Sequence, residues 1–359
     1  MKDKCPKARL IAYYLPQYHQ IPENDEWWGK GFTEWTNVAR AKPLFKGHYQ
    51  PHIPADLGFY DLRVPETREA QAEMAEEHGI EAFCYWHYWF NGRKILERPF
   101  NEVLSSKQPA FKFCLAWANQ TWSGIWHGAS DQIFIEQTYP GMDDHTAHFY
   151  TLLKAFSDER YVTIDGKPLF VIYQPWLLPD SKRVTDLWQE LAIKAGLKGL
   201  YIVGEARHAN TWKPQDHGYN AAIINSLEDM MSAIYLRYLV VRLRRRYHGL
   251  RHLPNIYKYK ELVNSPLPHS PSGVESFPTI LPNWDNTPRS GKRGIVFHGS
   301  NPELFRIHVK QELAKVADRH EEHRIVFIKS WNEWAEGNHL EPDQKFGKSY
   351  LNVLAEEVF

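Results

Sequence analysis

The chain has 359 residues, with 43 Lys plus Arg balancing 43 Asp plus Glu, so its formal net charge is zero. Binding nucleic acid through its phosphates calls for a basic excess, so that partner class is excluded. No apolar run approaches the length of a membrane-spanning helix, and three scattered cysteines (Cys5, Cys84, Cys114) provide neither a disulfide framework nor a zinc site.

The opening MKDKCPKARL has no apolar core of a secretory signal, which reads as a cytoplasmic location. A first strand is expected at Arg9–Tyr18 and a helix at Pro65–His78 stopped by Gly79. A strand at Glu81–Phe90, a helix near Leu96–Ser105 and a strand at Phe111–Ala118 follow. Next come a helix at Asp143–Phe156, a strand at Pro168–Tyr173, a helix at Val184–Ala195 ended by Gly196, and strands at Gly199–Gly204 and Ala221–Asn225. A weaker strand at Ser276–Leu281, a helix at Pro302–Arg319, a last strand at Arg324–Ser330 and a closing helix at Ser349–Val358 complete the pattern.

Eight strands, nearly all separated by helices, predict a parallel sheet with right-handed crossovers, closed into a single (β/α)8 barrel over residues 1–359. The alternative, a doubly wound sheet, lacks a GxGxxG or P-loop after the first strand. Two stretches stand outside the pattern. Residues 25–60 form a Trp-, Pro- and Gly-rich insertion after the first strand, at the end where barrel active sites form. Tyr235–His252 carries RLRRRYHGLRH, either a basic surface for anionic membrane or polysaccharide or, more economically, the solvated face of a helix.

The last strand runs into KSWNEWAEGNHLEP, which places Glu333 and Glu336 directly after a buried run. A carboxyl buried beside indoles has a raised pKa and suits a general acid, while a better-solvated partner stays ionised as base. Breaking a glycosidic bond needs such a pair. The plainer reading makes both glutamates the first turn of a helix, favoured by its dipole.

The other strand ends carry groups suited to neutral polyols. Tyr14, Gln17 and Tyr18 follow the first strand, Trp86, His87 and Tyr88 the second, and Trp117, Asn119, Trp122 and Trp126 the third. Trp35 lies in the insertion, Asp285, Asn286 and Arg289 follow the seventh strand, and Trp331, Asn332 and Trp334 surround the glutamates. Any single aromatic here is more often core than ligand contact; their recurrence at one end of successive strands favours a sugar-binding cleft. Glu34 either lines the pocket or caps its loop.

The segments YYLPQYHQIPENDEWWGKGFTEWTNV, YWHYWFNG, WANQTW, NWDNTPR and WNEWAEGNHLEP resemble the WbsX-like family of bacterial polysaccharide gene clusters, related to glycoside hydrolase family 99. The resemblance spans Arg9 to Leu351. It implies a metal-independent, retaining (β/α)8-barrel enzyme, needing no cofactor, that acts on α-linked manno-configured (mannose or rhamnose) glycans. It also implies Glu333 as the base that draws the proton from the substrate's 2-hydroxyl, and Glu336 as the acid. Three other readings stay open. A glycosyltransferase or transglycosidase would build surface polysaccharide, although no D-x-D or phosphate loop is present. A metal hydrolase would draw on His87, His127, His208 and His298, without any HExxH. A non-catalytic sugar binder would have no need of both glutamates.

Overall fold

The computed structural model describes residues 5–124, 129–207, 210–224, 226–237, 239–267 and 270–359. The barrel strands are β1 (Arg9–Tyr14), β2 (Ile80–His87), β3 (Lys112–Trp117), β4 (Lys167–Ile172), β5 (Tyr201–Glu205), β6 (Ala221–Ile223), β7 (Ser276–Phe277 with Thr279–Ile280) and β8 (Ile325–Ile328). They pair in parallel and in order, and β8 also pairs with β1, with Arg9 opposite Ile325 and Ala12 opposite Ile328.

Closure depends on β7. Its first half pairs with β6 (Phe277 opposite Ile223) and its second half with β8 (Ile280 opposite Ile328). Pro278 sits between the halves, where it donates nothing to a ladder, yet its carbonyl accepts from Phe327 N at 2.9 Å. The strand that reads weakest in the sequence is therefore the one that shuts the ring. The (β/α)8 barrel is thus the observed architecture.

The strands read as apolar runs because both of their faces are covered. Phe156 of helix Met142–Phe156 and Trp188 of helix Ser181–Lys194 pack on Phe170 of β4, with ring centroids 5.8 and 5.2 Å away. β1 stops at Tyr14, short of the expected Tyr18, because Pro16 has no N–H to continue a ladder. Among the described residues between β5 and β6, the helical element is a 3-10 turn, Pro214–His217. The long connection from β6 to β7 adds helices Leu227–Arg237 and Leu239–Leu250 and a strand, Asn255–Lys258, paired in parallel with Ile295–His298. These build a second apolar cluster that includes Met230, Tyr257, Leu262, Trp284 and Phe297.

The basic segment is helical, and Leu243, Tyr247 and Leu250 on it are exposed. Residues 25–60 hold a helix at Glu34–Arg40 and then a largely irregular run whose His48 and Gln50 bond to Asp285 and whose Ile53 carbonyl accepts from Gln344 N. Among the described residues, no helix is long and apolar enough to cross a membrane.

Candidate active site

After β8 the chain makes a tight hairpin rather than starting a helix; the closing helix begins only at Ser349. Asn332–Glu333 pairs antiparallel with Asn338–His339, around a single 3-10 turn at Trp334–Glu336. Gly337 completes the turn at φ 55°, and a Cβ there would lie 2.9 Å from Asp285 Cβ, so only glycine fits. Both glutamates consequently project from one small loop.

That loop is fixed to β1. Asn332 Oδ1 accepts from Leu15 N at 2.7 Å and its Nδ2 donates to Leu15 O at 3.0 Å. The Tyr18 hydroxyl donates to Asn332 O and accepts from Trp334 N. Trp334 is stacked on His339, 3.7 Å between centroids, and packs against Trp35. Its indole N–H donates to Glu341, which also accepts from Tyr60 and Gln71.

Arg289 stands at the centre. It lies on the short helix Thr287–Ser290, whose start is fixed by Asp285 Oδ1 accepting from the Thr287 N–H and hydroxyl. Asp285 Oδ2 takes His48 at 2.6 Å and Gln50 at 2.8 Å, and Asp285 N donates to Glu336 O at 2.6 Å. One buried aspartate thus ties together the loops after β1, β7 and β8. Burial alone would raise its pKa, but the hydrogen bonds from His48, Thr287 and Gln50 hold it below the ordinary value.

The Arg289 guanidinium holds three carboxylates. Nη1 donates to Glu336 at 2.5 Å and reaches Glu333 at 3.4 Å, while Nε and Nη2 grip Glu34 at 3.0 and 2.7 Å. Three acids against one guanidinium, all largely removed from water, leave an excess of negative charge. A proton on one of them relieves it. Burial, then the charge of Glu333, push Glu336 up to about 8 against the opposing pull of Arg289. Burial raises Glu333 as well, with Arg289 working against the shift. Glu336 is therefore the proton holder near neutral pH.

The remaining sequence candidates fall into three groups. Trp86, His87, Trp122 and Trp35 are partly exposed near this end of the barrel. Tyr88 is buried under Trp122, with ring centroids 5.1 Å apart, and burial followed by the charge of Glu333 raises its phenol pKa. Tyr14, Gln17, Tyr18, Trp117, Asn119, Asp285, Asn286, Trp331, Asn332 and Trp334 are buried. Several of these make identifiable internal bonds: Tyr14 to Gln71, Asn119 to the Gln174 backbone, Asn286 to Ile295 N. Trp126, with His127 and His208, lies outside the described residues.

His87 faces His148, with their Nε2 atoms 2.8 Å apart, and His298 lies beside Phe45. Among the described residues, the groups of ligand-type atoms that converge are His52, His339 and Asp343, and Asp165, Glu322 and His323; neither includes His87 or His298. His52 and His339 are hydrogen-bonded to each other at 2.9 Å, and His339 Nδ1 reaches Glu341 O.

Sequence alone leaves Glu34 undecided between pocket and cap. In the structure it opens helix Glu34–Arg40, with Thr33 as the capping residue, and its carboxylate goes to Arg289. Sequence reasoning misses His48, Gln50 and Glu341, and also an ion pair between Lys329 and Glu205 at 2.7 Å across the barrel mouth. A charged residue at the C-terminal end of an apolar strand run is the available signal for Glu205 and Lys329.

Residues 10–354 match the family described as Glycosyltransferase WbsX. Two proteins of Xanthomonas campestris pv. campestris, from strains B100 and ATCC 33913, each called uncharacterized protein WxcX, are 36% identical over 98% of this chain. The match covers 50% of each, so the chain spans about half the length of these curated relatives. Among solved structures, a glycoside hydrolase-like protein aligns with TM-score 0.58 and 16% identity, over 99% of this chain and 94% of its own. The GH99 endo-alpha-mannosidase from Bacteroides thetaiotaomicron aligns with TM-score 0.57 and 12% identity, over 98% and 96%. At these identities the likeness speaks for the barrel fold.

Proposed function

This chain belongs to the WbsX glycosyltransferase family, and on that premise we propose that it cleaves α-linked, manno-configured glycans with retention, using Glu333 and Glu336. The observation that carries the reading is the shared grip of Arg289 Nη1 on both carboxylates, at 3.4 and 2.5 Å. Those two lengths cap the separation of the gripped oxygens at their sum. Carboxyls held that close can serve one sugar unit together, one at its 2-hydroxyl and the other at the departing oxygen, which supports the two-carboxyl reading.

In this mechanism the ionised Glu333 takes the proton of the substrate's 2-hydroxyl. The freed O2 electron pair forms the bond to C1 as the C1–O bond to the leaving group breaks, and Glu336 delivers its proton to that departing oxygen. A 1,2-anhydro sugar results. Water then opens it at C1, with Glu336 taking the water's proton and Glu333 returning one to O2, so that both carboxyls recover their starting states. The raised pKa of Glu336 supports its part as the acid. Arg289 keeps charge beside Glu333 and so favours its ionised form.

If a sugar hydroxyl takes the place of water in the second step, the same groups transfer a glycosyl unit; the family's description as a glycosyltransferase supports keeping this second reading. The deciding experiment incubates α-linked manno- and rhamno-configured oligosaccharides with the wild type and with Glu336→Gln, with and without acceptor sugars. Release by the wild type alone supports hydrolysis. Chain extension only with acceptors supports transfer, and equal release by the two proteins removes Glu336 from the mechanism.

A further inference from the structure

Glu333, Glu336 and Arg289 occupy the part of the barrel mouth formed by the loops after β1, β7 and β8. Across the mouth, over β4, β5 and β6, lies a separate cavity of about 260 Å³. Its lining includes Tyr173, Trp176, Glu205, Arg207, Ser226 and Glu228.

At its base Glu205 Oε1 accepts from Lys329 Nζ at 2.7 Å, with the two side chains only 7% and 10% exposed. The second oxygen, Glu205 Oε2, has no hydrogen-bond partner among the described residues. A buried ion pair adds little net stability compared with apolar packing, and an unpartnered carboxylate oxygen is a cost. Folding alone leaves this arrangement without a reason; a ligand that completes it supplies one. Lys329 lies four residues before Glu333 and acts electrostatically on both catalytic carboxyls, and Tyr173 feels Glu205, Glu228, Glu336 and Glu333 together. The cavity therefore adjoins the reacting centre.

The lining carries Arg207 against Glu205 and Glu228, and Lys329, which pairs with Glu205 from beside the lining, brings the charges into balance. That balance fits a neutral ligand rather than an acidic or basic one. A sugar hydroxyl accepts and donates at once, which matches an ammonium and a carboxylate side by side. Trp176, 45% exposed at the rim, offers an apolar ring, and Arg207 lies 5.6 Å from its centre. Trp176 also borders a larger groove of about 850 Å³ that runs on past Trp212, Arg183 and Asp186. Trp212 seats against Gly204 of β5, where a Cβ would stand 2.5 Å from the indole.

We propose that this cavity is a second sugar subsite. It takes one neutral pyranose unit beside the reacting one, with Glu205 and Lys329 gripping a hydroxyl and Trp176 covering a ring face. The substrate is then an oligosaccharide of at least three units, continuing into the Trp176–Trp212 groove. The inference rests on the proposed glycan chemistry at Glu333 and Glu336.

The test is calorimetric titration of the Glu336→Gln protein with α-linked manno-oligosaccharides of two, three and four units, alongside cleavage of the same series by the wild type. Filling the subsite raises affinity about tenfold from the shortest to the longest ligand. That ratio collapses to about one when Trp176→Ala is added, a change at an exposed position, and again when Glu205→Gln and Lys329→Gln are added together. A ratio that persists in both variants, or a ratio of one before either change, overturns the subsite. If the series is cleaved while the ratio persists, the subsite alone fails. If no length binds or is cleaved, the proposed glycan chemistry fails and the subsite with it.

Discussion

Arg289 holds Glu34 through Nε and Nη2 and presents Nη1 to Glu336 at 2.5 Å, so Arg289 and Glu34, 255 positions apart in sequence, form a buried bidentate pair that sets the charge of the site. The negative charge of Glu34 contributes to the upward shift of Glu336. Glu34→Gln removes that contribution and lowers the pKa of the acid. The alkaline limb of the kcat/KM profile then moves to lower pH, while the near-isosteric amide leaves the packing almost intact. An alkaline limb that stays in place separates Glu34 from the proton holder.

Arg289→Lys keeps one positive charge but loses the planar fork that reaches three carboxylates at once. With less opposition from the cation, Glu333 rises further and is ionised over a narrower range. The acid limb of the profile moves to higher pH, and kcat/KM falls at least about tenfold. Full activity with an unmoved acid limb removes Arg289 from the control of Glu333.

Glu336→Gln and Glu333→Gln separate by leaving group. An acid matters most when the departing oxygen is basic, so Glu336→Gln loses at least about a hundredfold on an oligosaccharide but retains much of the rate on a dinitrophenyl glycoside. Glu333→Gln is inactive on both, because no proton leaves the 2-hydroxyl. Parallel losses for the two variants on both substrates contradict the assignment of roles.

Most of the barrel is legible because its strands are apolar on both faces and end in polar aromatic clusters, a pattern that local sequence carries. The hairpin glutamates were legible for the same reason: they follow β8 by a few residues. Pairings made by polar side chains from different loops carry no periodicity. Glu34 with Arg289, Asp285 with His48 and Gln50, and Glu205 with Lys329 all depend on closure of the ring through β7. That closure passes through a strand split by Pro278, which weakened its signature. The tight turn after β8 also fits the start of a helix in sequence, since ExxE spacing suits both.

Stability should depend on pH through Glu336. Its folded pKa, about 8, lies above the ordinary value of 4.5, so between those values the native state holds more protons than the unfolded chain. Stability from this group is complete below pH 4.5 and declines as pH rises through 8. Glu336→Gln lacks the liability, so its melting temperature exceeds that of the wild type increasingly from about pH 5 to about pH 8. A gap that is constant across that range refutes the buried, protonated state of Glu336.

The part played by the 2-hydroxyl separates two mechanisms that share the same carboxylates. If Glu333 attacked C1 itself, a 2-deoxy substrate would still react, since loss of an electron-withdrawing hydroxyl eases development of positive charge at C1. A glycosyl ester on Glu333 would then add a sugar mass to the protein. If Glu333 instead takes the proton from O2, the 2-deoxy substrate has nothing to close the ring with and is not cleaved, although it still binds. The synthetic 1,2-anhydro sugar, by contrast, is opened by the wild type, and more slowly by either glutamine variant. The expected outcome is therefore an inert 2-deoxy substrate, a consumed anhydro sugar and no covalent adduct by mass spectrometry of the quenched enzyme. An adduct on Glu333 would overturn the proposal and reassign that residue as the nucleophile of the standard two-carboxylate scheme.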